Sequence, residues 1–329
     1  MTRPGLGRDV LPAATLVLLL ALVPLAASDE TLNFLVGALI VALAAQGWNL
    51  LGGFGGQFSF GHAAFFGTGA YADAILQIKG GVNAWLACGL GVAAGALAGW
   101  IIGALAFRAR LRGSYFALVT LAFAEVLRIL ANAADVTGGA AGLLIKLDPR
   151  PANFQFASRA AFYGVALACV AAALVLSRLV ERGRFGARLA AVRENEDAAR
   201  ALGVDALATK LQAMALSAAV TAAAGCLYAQ YFLYIDATIA YGSQVSVEML
   251  LAAIVGGLGT VLGPVAGALV LHGFGELTRG LAGGIAGLDL VLFGVLLVAV
   301  IAFAPAGLVG TALRLGRTAR RASSRAGAA

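Results

Sequence analysis

Apolar runs recur along this chain from near Leu11 to Phe303, with only short polar segments between them. Many approach the roughly 20 residues that carry a helix across a bilayer. That repetition limits the fold more than any single motif does. A water-soluble domain must turn a charged surface to solvent. Here 61% of the 329 residues are hydrophobic and only 12% are charged, against roughly 25% charged in an ordinary soluble domain. The chain therefore reads as all-α, a polytopic integral membrane helical bundle placed in a lipid bilayer. Its 44 glycines suit that setting, because small residues let membrane helices approach closely.

Ten apolar segments are readable: Leu11–Ala27, Thr31–Leu51, Phe58–Ile78, Ala84–Phe107, Ser114–Ala133, Ala160–Val180, Leu211–Leu233, Val247–Val255, Thr260–Phe274 and Leu288–Phe303. The eighth and ninth are too short to cross alone. They flank Gly256-Gly257-Leu258-Gly259 and contain Pro264. Two half-length helices, or one broken or re-entrant element near 247–274, both fit, so the expected count is about 8–10 spans. Asn132–Arg159 reads as an external loop. The pattern predicts one transmembrane domain over 1–310, a charged cytoplasmic loop over 181–210 and a basic cytoplasmic tail over 311–329.

Charge orients this map. With the N-terminus inside, the inner loops collect Arg108, Arg110, Arg112, Arg182, Arg184 and Arg188 among others, while Lys79, Lys146, Arg150, Arg159 and Arg279 fall outside. The inner set is about three times the outer, which predicts an even number of crossings with both termini cytoplasmic. The net charge of +7 thus reports orientation, and no nucleic-acid partner is expected. A competing reading of the N-terminus is a secretory signal, since Arg3 and Arg8 precede an apolar stretch ending Ala26-Ala27-Ser28. The apolar segment that follows at once favours a helical hairpin instead.

Several chemistries lack their residues. No lysine follows a glycine, so there is no phosphate-cradling Walker loop, and there is no HExxH metal motif. No acid, base and nucleophile set is visible. The chain is expected to be neither an ATPase nor another enzyme, with no cofactor or metal. Cys88, Cys169 and Cys226 all lie in apolar runs and read as small core residues. Gly52-Gly53-Phe54-Gly55 and Gly256-Gly257-Leu258-Gly259 share a GGxG pattern, a faint hint of duplication.

The most informative stretch runs from Asn49 through the glycines at 52, 53, 55 and 56 to Tyr71. It places Gln57, Ser59 and His62 inside an apolar span, where polar groups need partners or water. Helix packing and a translocation-path lining both fit these three and Tyr71. Glu125 and Arg128 stand three apart on one predicted helix and can pair or meet a substrate. Asp73 and Glu248 are expected near outer helix ends, with Glu248 leading into the GGLG break. Tyr228, Tyr231, Tyr234 and Tyr241 read as an interfacial belt. Between Gly186 and Gly203 a helical template puts Leu189, Val192, Ala199 and Leu202 on one side and Arg188, Glu194, Glu196, Asp197 and Arg200 elsewhere. Such an amphipathic helix suits docking in a partner's groove.

These residues carry a family resemblance. The 49–71 stretch resembles the signature of LivM-type permeases, the inner-membrane subunits of branched-chain amino acid ABC importers. Arg112–Ile129 with Thr137-Gly138-Gly139, the block Gly186–Val204, and GGLG with Gly263-Pro264 follow in the family's order. Phe54-Gly55-Gly56 and Ala140-Ala141 depart from its pattern. The resemblance implies a permease subunit, in the bacterial inner membrane, moving branched-chain or related amino acids. It implies a second homologous permease, two ATP-binding subunits and a periplasmic binding protein. It also implies an ATPase-coupling helix containing Gly186, Arg188, Arg193, Glu194, Asn195, Glu196, Ala199 and Gly203. A proton-coupled secondary transporter using Asp73, Glu125 or Glu248 is the alternative.

Overall fold

The computed structural model describes residues 10–281 and scattered positions at 288, 291, 294–295, 298 and 307–311. Apart from those positions, the expected span Leu288–Phe303 and the tail 311–329 lie outside the described residues.

The helices are α1 (Val10–Leu22), α2 (Asp29–Asn49), α3 (Ala63–Ile78), α4 (Ala84–Arg108), α5 (Gly113–Ala133) and α6 (Arg159–Arg182). Then come α7 (Arg184–Glu194), α8 (Glu196–Ala201), α9 (Ala206–Phe232), α10 (Ala237–Tyr241), α11 (Ser243–Gly256) and α12 (Gly263–Leu281). Among the described residues six helical stretches are long and apolar enough to cross a membrane. Short polar caps start several of them. The side chains of Ser28, Asn83 and Asp205 accept backbone N–H groups in the first turns of α2, α4 and α9, satisfying donors that a helix start leaves open.

Helices α2 and α9 form the centre. From Ala42 to Gly53 every residue of α2 and of the π turn that follows it is buried. Its apolar side chains join one cluster with α6, α9, α11 and α12. Helix α4 packs closely along α9. An ideal Cβ at Gly95 would lie 2.3 Å from the Ala222 methyl, and one at Gly99 would lie 2.3 Å from that of Ala218. Gly91 meets Cys226 and Gly103 meets Met214 in the same antiparallel register. A glycine at every fourth position lets two backbones touch, and close packing is what holds helices together where lipid competes equally for apolar side chains. By contrast α1 and α5 are peripheral. Leu18, Leu19 and Leu22 on α1, and Leu118, Ile129 and Leu130 on α5, are exposed.

The chain alternates between two ends of the bundle. At one end Lys79 donates to Asp135 O, Asn83 to Ala152 O and Trp85 to Pro151 O. The loop between α5 and α6 lies here and holds Leu143–Leu144 (β1) antiparallel to Tyr234–Ile235 (β2), a ribbon the all-helical expectation did not contain. In the same loop the Arg150 hydrogen bond holds the Asp148 carboxyl below the usual aspartate range. The other end carries Arg108, Arg110, Arg112, α7 and α8, and is called the basic end below.

Three expected boundaries move. The third span is helical only from Ala63, because residues 57–62 run without helix beside α2. The eighth and ninth elements are longer than hydropathy suggested, at 14 and 19 residues. They form an antiparallel pair in which Gly267 seats on Ala252 and Gly263 on Gly256. The break falls at 257–262, between them. The loop helix is also not one helix. It stops at Asn195, whose backbone is extended (φ −157°, ψ 105°) and whose side chain caps α8 through the N–H groups of Asp197 and Ala198.

Candidate functional site

Three polar assemblies stand out among the described residues of the bundle. The first joins the two glycine-rich breaks at the basic end. Asn49 donates to Thr260 O (3.0 Å) and accepts from Gly259 N (2.9 Å). Gln46 donates to Val261 O (2.6 Å) and accepts from Ser177 (3.2 Å). Two side chains of α2 thereby satisfy the irregular backbone between α11 and α12, as backbone away from water requires. Gly53 faces this loop, and a Cβ there would sit 2.6 Å from Gly259 N. The two GGxG motifs are therefore packed on each other. Arg193 of α7 closes the assembly by donating to Gly53 O (3.1 Å), with its stem packed on Gly56.

Around this latch the loop segment is pinned by Glu196, which accepts from Lys210 (2.9 Å) and Arg200 (2.6 Å) and lies 3.3 Å from Arg112. Lys210 is almost fully buried, its ammonium 5.0 Å from the centre of the Phe107 ring. Burial pushes the Glu196 carboxyl up, but the Lys210 hydrogen bond and the neighbouring cations outweigh it, so its pKa lies below the ordinary glutamate value. Leu189, Val192 and Ala199 are buried as the helical template expects, and Arg188 and Glu194 are exposed. Leu202 is not on that side: it is 85% exposed, because α8 ends at Ala201 and Leu202 leaves the helix (φ −87°, ψ 9°). Gly203, at φ +84°, does bound the segment. Gly186 does not, for it lies inside α7, where a Cβ would strike Val180 O at 1.9 Å.

The second assembly surrounds His62, which is fully buried. Its Nε2 lies 2.8 Å from Ser217 Oγ and its Nδ1 3.1 Å from Ser59 Oγ. Ser217 in turn donates to Gly47 O, and the Trp48 indole donates to Ser59 O (2.7 Å). Ser246 accepts from Ala63 N at the start of α3. This network holds the non-helical 57–62 segment. Ser59 and His62 are therefore fully buried in packing contacts and do not line the cavity beside Glu248. Gln57 reaches only its neighbour Gly55 O. Tyr71 is buried and stacked on Tyr241 at 5.6 Å, which takes Tyr241 out of the expected surface belt. Asp73 is fully buried, held by Gln230 (2.7 Å) and Gln77 (3.0 Å), and does not reach an interface. Glu125 and Arg128 form a two-bond ion pair on the exposed face of α5.

The third assembly is a cavity of about 790 Å³ among α2, α3, α6, α9, α10, α11 and α12. It runs along α2 from Glu30 to Ala44, about 21 Å at 1.5 Å per residue. Phe34, Ile40, Val41, Phe66 and Met249 give it an apolar wall, and Glu248 and His272 face it. His272 Nδ1 lies 3.9 Å from Glu248 Oε1, and its ring lies tilted against Phe34, with centroids 5.1 Å apart. Sequence reasoning singled out Glu248 but passed over His272. Its signal was available, since His272 lies midway along an apolar helix.

A family model described as branched-chain amino acid transport system / permease component matches residues 30–301. The chain is similar to the high-affinity branched-chain amino acid transport system permease protein LivM of Escherichia coli. The two are 30% identical over 302 residues, covering 83% of this chain and 70% of that protein. The LivM of Salmonella typhimurium is 29% identical over 282 residues, covering 78% of this chain and 65% of its own length. No solved structure matches.

Proposed function

Because the chain belongs to the family of permease components of branched-chain amino acid transport systems, we propose that it is the membrane-spanning subunit of an ATP-driven importer of branched-chain or related amino acids. It pairs with a second, homologous permease in the bacterial inner membrane. Two ATP-binding subunits dock at the basic end, and a periplasmic binding protein delivers ligand to the opposite end. The excess of arginine at the basic end supports a cytoplasmic side for that end and for both termini.

The observation that carries this reading is Arg193. It sits on a segment outside the spans, yet donates to Gly53 O beside the Gly259 loop. A push on α7 and α8 is thereby delivered to both glycine-rich breaks, the places where helices lack a continuous ladder and can rearrange. Exposed Leu202 supplies the apolar contact for the ATP-binding partner. The proton-coupled alternative is disfavoured by the state of two of its carriers. Asp73 is enclosed by two amides and Glu125 is engaged by Arg128, which leaves Glu248 as the one carrier of that alternative still facing a cavity.

The test is leucine uptake by the whole transporter in proteoliposomes. Uptake with ATP and no proton gradient is expected. Uptake that follows an imposed gradient and ignores ATP would sink the reading.

A further inference from the structure

The cavity beside Glu248 has chemistry that the coupling machinery does not use. We propose that this cavity holds the cargo within the membrane, and that it selects a molecule with a protonated amine and an apolar body, Glu248 receiving the amine. The proposal rests on the permease reading and narrows it to a site and a chemical class.

Size permits it, since small-molecule pockets occupy roughly 300–1,000 Å³. Depth permits it too. The cavity begins at the end of α2 where binding-protein delivery is placed, and reaches past the middle of that helix. Charge sets the class. From α11 comes Glu248, from α12 His272 and Glu276, from α2 Glu30, and from α6 Arg159. Leaving Glu276 aside, the carboxylates of Glu30 and Glu248 outnumber the Arg159 guanidinium among the described lining residues, so a carboxylic acid without an amine is repelled. A urea-like amide gains nothing from the charge and leaves the apolar wall unused. A carboxylate at this depth needs water or a cationic partner. The basic group that faces Glu248 is the His272 imidazole, at 3.9 Å rather than hydrogen-bond distance. An ammonium group can take that position, with the part-exposed Phe34, Val41 and Ile239 left to meet an aliphatic chain.

Gly37 makes room for the arrangement. A Cβ there would approach His272 Nε2 to 3.0 Å, so the imidazole lies against the α2 backbone and leaves the space beside Glu248 open.

The experiment uses the complete transporter in detergent without the binding protein, and measures equilibrium binding of radiolabelled leucine. Leucinamide keeps the amine and removes the carboxylate; 4-methylpentanoate does the reverse. Leucinamide is expected to compete, and 4-methylpentanoate to fail at tenfold higher concentration. Glu248→Gln is expected to lose at least tenfold in leucine affinity, and Glu248→Asp to lose less. Should Glu248→Gln not assemble by size-exclusion chromatography, Val41→Trp, which fills the cavity from α2, decides the point and is expected to abolish binding. Competition by 4-methylpentanoate equal to leucinamide, or unchanged leucine binding in Glu248→Gln or Val41→Trp, would overturn the proposal. Wild-type ATP-driven uptake with no effect at Glu248 removes the site and leaves the permease. Amine-selective binding without ATP-driven uptake does the opposite.

Discussion

The chain has two histidines, and both lie deep in apolar surroundings, yet the fold treats them in opposite ways. His62 is fully buried, with each ring nitrogen near a serine hydroxyl, and those serines bind further backbone. His272 lines a cavity, stands beside Phe34 and has only a distant acid for company. A polar group placed away from water is either satisfied by protein or left open to something that enters. His62 follows the first course and holds a broken span in place. His272 follows the second.

This contrast predicts its largest effect at His62. His62→Leu strands Ser59 and Ser217 without their partner and should cost about 3 kcal/mol or more, seen as a large fall in the thermal unfolding midpoint of the purified complex. His272→Leu should cost under about 1 kcal/mol while weakening leucine binding. Equal destabilisation by the two would erase the distinction.

Glu196 sharpens the comparison at the basic end, where it is bound into the structure as fully as His62 is in the bundle. Glu196→Lys leaves Lys210 buried beside a like charge, at a cost on the order of 3 kcal/mol. A drop in folded yield is therefore expected, rather than the clean uncoupling that an exposed charged helix face suggests. The pH dependence has a defined sign. The Glu196 carboxyl is held below its ordinary value, so its contribution is present above the unfolded glutamate pKa and is lost as pH falls through the lower, folded one. Melting curves between neutral and acid pH should show that loss in the wild type and not in Glu196→Gln.

Arg193 gives the mildest effect on stability and the most specific on function. Arg193→Gln removes the charge-assisted bond to Gly53 O and the exposed ion pair with Glu194, the latter worth little to stability. Folded yield should hold, and ATP hydrolysis should continue. Uptake per ATP should fall by roughly tenfold, as the loss of about 1.4 kcal/mol of coupling implies. Normal uptake in this variant would mean that the latch does not transmit motion.

Hydropathy made the spans legible to within a few residues, because a bilayer requires a length and an apolar surface and both are written in composition. It misjudged the places where backbone leaves the helix. Residues 57–62 look helical because Phe58 and Phe60 are apolar. Their non-helical path depends on Trp48, Thr120 and Ser217, which sequence distance hides. The ends of α11 and α12 extend past the expected segments because Gln244 and Glu276 lower the hydropathy, whereas both side chains line the cavity. Two signals were readable and went unused. Asn195 followed by Glu196 and Asp197 is a helix start, and glycines at 91, 95, 99 and 103 mark a packing stripe.

The central claim is that cargo passes the His272 side of the bundle while the His62 side is solid. It is tested most directly by thiol labelling of the complete transporter in a background of Cys88→Ala, Cys169→Ala and Cys226→Ala. His272→Cys should react with a small cationic thiol reagent and be protected by leucine, while Ser217→Cys should stay unlabelled. Reaction at Ser217→Cys with leucine protection, or no protection at His272→Cys, would contradict the account.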